Sequence, residues 1–213
     1  MWRKFYKWTP IYSPINTYRK LFCCHICKSD SMNPLELTLA ILKPSVCKIP
    51  QDVLVIRQLI LDNNFYFVKS KCMTLNTKEA EFFYREHREK FFYKRLVSFM
   101  CSGAIAVHIL GRENAIQHWR HLLGPTKVFK AQYEAPYSIR ARFGISDTRN
   151  AAHGSDSSQT AEKEIRFFFP HFDIKKWYCE EEPFFHGHLV KFDRKNWVHL
   201  PYTSEKKKNV NSI

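Results

Sequence analysis

His153 is the residue of this chain best placed to do covalent chemistry. It stands in Asn150-Ala151-Ala152-His153-Gly154-Ser155-Asp156-Ser157, shortly before Ala161-Glu162-Lys163-Glu164. No His or Cys lies three or four residues away, so the spacing of a metal-binding helix is missing. A single imidazole on a turn ahead of a helix suits proton transfer or nucleophilic attack, and its neighbours favour attack. Gly154 permits close approach of backbone to a ligand. Asp156 and Gln159 read as a helix-capping pair, after which Ala161, Ile165 and Phe168 recur at helical spacing. Glu164 falls two turns into that helix, where a carboxylate can orient the imidazole. The other cluster of ligand-type residues, Cys23-Cys24-His25-Ile26-Cys27, is too compact for a tetrahedral zinc site and reads as a cysteine-rich linker.

The string NxxHGSDS followed by AEKEI resembles the active-site signature of nucleoside diphosphate kinases, which relay a γ-phosphoryl group through a phosphohistidine. The resemblance runs from about Leu35 to Pro183, with the motifs in the family's order. Gly124-Pro125-Thr126-Lys127-Val128-Phe129, Asp147-Thr148-Arg149-Asn150 and Trp177-Tyr178-Cys179-Glu180-Glu181-Glu182-Pro183 resemble a divergent branch of that family. The resemblance implies a ping-pong reaction in which His153 takes the γ-phosphoryl group of a nucleoside triphosphate and passes it to a nucleoside diphosphate. Mg²⁺ would be carried by the nucleotide phosphates, with no metal ligands on the protein.

Phosphoryl transfer asks chiefly for positioning and charge neutralisation. The chain has no GxxxxGK[ST] loop, so separate cations must hold the phosphates. The resemblance assigns Lys43 to the ribose and transferring phosphate, Arg120, Thr126 and Arg140 to the phosphates, and Asn150 to the ribose hydroxyls. Tyr84 matches the tyrosine that organises the lysine and imidazole, while Ser155 and Glu164 match the polar support of His153. Phe92 matches the aromatic residue on which the base stacks, backed by Leu96, and such stacking tolerates many bases.

Two departures stand out. The family usually has an aliphatic residue on the other side of the base, and here that position is Asp147, an acid that weakens the base sandwich or selects among bases. The segment from Thr126 to Arg140 is longer than usual and carries Phe129, Tyr133, Pro136 and Tyr137. The resemblance places this loop at the threefold contact of a hexamer, so these bulky residues predict that the usual hexamer does not form. Two activities therefore stay open: a working kinase, or a weakly active or inactive binding protein that keeps the fold and needs a protein partner.

The elements that must position these residues follow from periodicity. Leu35, Leu37, Leu39 and Ile41 alternate with Glu36, Thr38 and Ala40, which predicts a strand with one apolar face. Val53, Ile56, Leu59 and Ile60 predict a helix over 51–62, and Phe65 to Met73 reads as a second strand. Asn76 and Glu79 form a capping-box signature, opening a helix through Tyr84 to about His87. A short helix near Lys94 to Met100, a central strand from Ala104 to Leu110 and a helix from Glu113 to Leu123 follow. The stretch 125–140 has no clear period and reads as a functional loop. Arg142 to Asp147 reads as the fourth strand, delivering Asn150 and His153. The sum is an α+β fold with helices on one face of a four-stranded antiparallel sheet, and the resemblance implies a ferredoxin-like sandwich.

The chain divides into a basic extension over 1–33, the kinase-like domain over 34–186 and an accessory basic tail over 187–213. Its net charge of +14 is concentrated at the ends, because residues 1–29 hold no acid and Lys206, Lys207 and Lys208 lie near the other terminus. That placement argues against a specific nucleic-acid surface in the central domain. An acid-free, basic and aromatic leader resembles a mitochondrial transit segment, with a cytoplasmic location as the alternative. No apolar run reaches the length of a membrane span. The seven cysteines are scattered, as expected in a reducing compartment.

Overall fold

The computed structural model describes residues 34–202, so the basic leader, the Cys23–Cys27 cluster and Lys206 to Lys208 lie outside the described residues. Strand β1 (Glu36–Leu42) is followed by helices α1 (Pro44–Cys47) and α2 (Pro50–Asp62), then β2 (Tyr66–Thr74). Helix α2 begins with a proline at its first position and is stopped by Asn63 and by Asn64, whose φ is 59°. Helix α3 (Thr77–Phe83) opens on the anticipated box, with Asn76 accepting from the Glu79 amide and the Glu79 side chain accepting from the Asn76 amide. A 3-10 turn (Arg85–His87), α4 (Tyr93–Met100), β3 (Ala104–Arg112) and α5 (Ala115–Leu123) come next.

The strands align as β2-β3-β1-β4, all antiparallel, with β4 confined to Ala152–Gly154. This is the ferredoxin-like arrangement. Both faces of the sheet are covered, one more than the alternation in β1 suggests. Leu37, Leu39 and Ile41 pack with α4 and α8 (Ser158–Phe168), whereas Ala40 and Leu42 pack with Ile56 and Ile60 of α2 and Trp119 of α5. Small Thr38 and Ala40 are fully buried because the second helical layer sits directly on them.

Two local expectations are overturned. Arg142 to Asp147 is not a strand: residues Ile139–Phe143 form helix α7, with Ser138 accepting from the Ala141 amide at its start. Ile139 is buried and Phe143 packs beside it one helical turn on, so a short helical face outweighs the apparent alternation. The stretch 125–140 is not a loop, because it also holds α6 (Val128–Glu134), which buries Val128 and Ala131. Helices of five and seven residues are too short for a period to emerge from sequence.

After α8 the chain adds α9 (Ile174–Glu180), α10 (Glu182–His186) and a hairpin of β5 (Val190–Asp193) with β6 (Val198–Pro201). Polar contacts fasten the hairpin to β2. The Phe67 amide donates to His199 Nδ1 at 2.9 Å, and Ser70 Oγ donates to the Trp197 carbonyl at 2.6 Å. Burial holds His199 down to about 4, so it stays a neutral acceptor. Arg57 lies over the Trp197 ring at 4.9 Å. Among the described residues no helix is long and apolar enough to cross a membrane.

Candidate active site

His153 sits in β4 rather than on a turn, paired with Ile41 across the sheet edge. The strand is entered through Ala151, whose φ is 70°, and the Lys43 amide donates to the Ala151 carbonyl at 2.9 Å. The end of β1 and the start of β4 are thus tied together, which brings Lys43 beside Asn150.

The His153 Nε2 lies 2.9 Å and 3.0 Å from the two oxygens of Glu164. A carboxylate can only accept, so Nε2 carries the proton in the neutral ring and Nδ1 keeps its lone pair. Ser155 is fully buried behind this pair; its Oγ donates to Glu164 at 2.6 Å and accepts from the Leu39 amide at 3.2 Å. Trp119 Nε1 donates to the His153 carbonyl at 3.1 Å, fixing the backbone of the strand. The rings of Phe83 and Tyr84 meet the imidazole edge-on, at 5.4 Å and 6.4 Å between centroids.

Gly154 lines the cavity, and its missing side chain also makes room for an indole. A Cβ there would collide with Trp119 Cδ1 and come within 2.6 Å of its Nε1. Gly154→Ala should therefore lower stability by about 1–3 kcal/mol, read as a reduced thermal midpoint, because the buried indole cannot retreat. An unchanged midpoint would show that Trp119 moves freely. The helix cap is also displaced by one residue: Ser157, not Asp156, caps α8 by accepting from the Thr160 amide at 3.2 Å.

The cations converge from three elements. Lys43 is buried, with Nζ donating to Asn150 Oδ1 at 2.7 Å and to the Thr148 carbonyl at 3.5 Å. Burial, with Arg140 nearby, lowers its ammonium to about 7. Arg140 on α7 donates to the carbonyls of Gly124 at 2.7 Å and Ala152 at 3.4 Å, and to Thr126 Oγ1 at 3.5 Å. Burial and the charge of Arg120 bring it down to about 10, still protonated at neutral pH. Its Nε is buried without a partner, as is the Tyr84 hydroxyl, whose ionisation is pushed up by burial and by Glu164. Among the described residues, Lys43, Arg120 and Arg140 form no ion pair with a carboxylate. Mutually repelling cations with unfilled donors are an arrangement that an anion completes.

These groups line one cavity of about 1040 Å³. His153, Glu164, Tyr84, Lys43, Arg120, Thr126, Arg140, Asn150 and Phe92 all reach it; Ser155 alone stays behind the wall. Leu96 and Asp147 line it too. The Asp147 carboxylate accepts from the Val128 amide at 3.1 Å. Sequence reasoning missed Phe83 and Trp119. The latter shares a buried helical face with Ile116 and Leu123, a pattern that announces core but not its bond to the His153 backbone.

The geometry agrees with what the chain is similar to. The family model described as nucleoside diphosphate kinase matches residues 36–174. A protein of Danio rerio named nucleoside diphosphate kinase 6 is 42% identical over 165 residues, covering 78% of this chain and 94% of that protein. Its Homo sapiens counterpart of the same name is 48% identical over 153 residues, covering 72% of this chain and 82% of the other. Among solved structures, the Aquifex aeolicus nucleoside diphosphate kinase superposes with a TM-score of 0.61 at 37% identity, over 63% of this chain and 95% of that one. The Encephalitozoon cuniculi enzyme gives 0.59 at 28% identity, over 67% and 99%. A matching family model, relatives aligned over most of their length and solved structures of the same fold converge, and the chain belongs to the nucleoside diphosphate kinase family.

Proposed function

We propose that this protein moves the γ-phosphoryl group of a nucleoside triphosphate to a nucleoside diphosphate through phospho-His153. The observation that carries the reading is the His153–Glu164 contact, which leaves Nδ1 as the free lone pair on a cavity lined by unpaired cations. Nδ1 attacks the γ-phosphorus, an N–P bond forms, and the bond to the β,γ-bridging oxygen breaks with its electron pair leaving on the diphosphate. In the second half a terminal oxygen of the acceptor diphosphate attacks the same phosphorus and the N–P electrons return to Nδ1. Glu164 holds the Nε2 proton throughout and offsets the positive charge that develops on the ring. Lys43, Arg120 and Arg140 take up charge on the transferring oxygens, and Thr126 adds a hydroxyl. A divalent ion would enter as part of the bound Mg–nucleotide substrate, whose phosphates would face Lys43, Arg120 and Arg140. Incubation with γ-labelled ATP followed by a chase with a second diphosphate tests the reading: label should pass to the protein and then to the acceptor.

A second reading, a weakly active protein completed by a partner, is favoured by exposed aromatics on the lengthened segment. Tyr133 and Tyr137, which lie outside the cavity lining, are 79% and 89% exposed. Light scattering at micromolar concentration should give a mass below six chains, because bulky side chains at a threefold contact are overpacked. A hexamer stable to dilution would contradict this. The leader over 1–33 carries the further proposal of mitochondrial import. Fused to a reporter it should direct import, and a diffuse cytosolic reporter would rule that out.

A further inference from the structure

We infer that Phe129 forms the second wall of the base slot, facing Phe92, and that Asp147 holds it there. The inference rests on the proposed function, since it names how the same cavity grips the base. One side of the cavity is lined by Phe91, Phe92 and Leu96 at the start of α4, and Leu96 belongs to the core on that face of the sheet. The other side is lined by Val128, Phe129 and Gln132 of α6. That helix packs on α7, whose Ile139 belongs to the core on the opposite face. The two sets of side chains therefore approach the cavity from opposite sides of the sheet.

Phe129 follows the residue that Asp147 grips. The Asp147 carboxylate takes the Val128 amide at 3.1 Å, which pins the start of α6 to the segment leading into β4. Val128 and Ala131 are buried, so the next face of the helix turns Phe129 and Gln132 into the cavity. An aromatic ring left 71% exposed forgoes most of its burial, and Tyr133 stands against it at 5.1 Å between centroids, limiting its rotamers. A planar base between Phe92 and Phe129 would cover both rings. The acid at position 147 is then a positioning residue for the wall, and its charge is spent on a backbone donor. Two aromatic faces accept any base, and the larger ring system of a purine overlaps them more fully than a pyrimidine does.

Calorimetric binding of ADP, CDP and inorganic pyrophosphate to the full chain tests this without requiring turnover. Phe129→Ala should weaken ADP binding by about five- to one-hundred-fold and CDP binding less, with pyrophosphate affinity unchanged. Phe129→Trp should restore ADP affinity and add a tryptophan emission that ADP quenches and pyrophosphate does not. Asp147→Ala should shift ADP affinity in the same direction by a smaller factor. ADP binding to Phe129→Ala as tight as to the unaltered protein would overturn the inference. Equal weakening of pyrophosphate would do so as well, since the loss would then be a general one. Should the unaltered protein bind ADP in this way yet take no label from γ-labelled ATP, the kinase reading fails while the slot stands.

Discussion

His153→Ala should take up no label from γ-labelled ATP while still binding ADP. Among the described residues the imidazole is the group placed against both Glu164 and the cavity with a lone pair to spare, since Tyr84 is held protonated and the Ser155 hydroxyl points away to Glu164. The phosphate grip should survive, because Lys43, Arg140 and Thr126 take their positions from carbonyls and from Asn150 rather than from the imidazole. Label on the unaltered protein should be lost in acid and kept in alkali, as for an N–P bond. Undiminished labelling of the variant, with its fold intact by circular dichroism, would remove His153 from the reaction.

Lys43 should make substrate affinity depend on pH in an unusual window. In the free protein its ammonium titrates at about 7, lowered by burial and by Arg140. A bound polyphosphate favours the charged form, so binding above pH 7 should take up a proton, and affinity should fall as pH rises, by at most about tenfold per unit. Calorimetry in buffers of different ionisation enthalpy counts that proton directly. Stability of the free protein should move the other way. Between about 7 and the ordinary 10.5 of an unfolded lysine the native chain binds fewer protons than the unfolded one, so stability rises with pH through that interval. Lys43→Met should abolish both trends and slow phosphoryl transfer by about 100- to 1000-fold, the usual cost of removing one group that meets developing charge. A proton count that persists in Lys43→Met would assign the effect elsewhere.

Local chemistry was legible where it needed few residues. The Asn76–Glu79 box, the proline entry and asparagine exit of α2, and the apolar central β3 follow from side chains within a turn or two. The residues that reach the cavity were legible because the signature fixes their types, although their convergence spans most of the chain. What failed was decided by tertiary contacts. Three residues of β4 give no alternation to read, and the strand exists because β1 offers it an edge. The indole that also needs the space at Gly154, and the short helix whose Val128 amide meets Asp147, are contacts that no local pattern announces. The hairpin beyond α10 depends on Trp197 finding Phe67 and Arg57, which no local pattern encodes.

The bonds that complete the site have a consequence for synthesis. Leu39 and Ser155 are 116 residues apart, and Lys43 and Asn150 are 107 apart, yet each pair closes a single contact between the first strand and the last of the main sheet. A nascent chain can therefore assemble β1, β2 and β3 with much of the helical cover before any nucleotide could be gripped. Closure of β4 joins the ends of that long arc, and within the main sheet it is the last strand to emerge from the ribosome. On the proposed function, nucleotide in the surrounding solution would bind only once that arc is closed, and would act as a latch on newly made chains by mass action. Fragments ending before residue 150 would lack His153 and also the buried Ile165, Phe168, Trp177 and Phe185, leaving one face of the sheet partly uncovered.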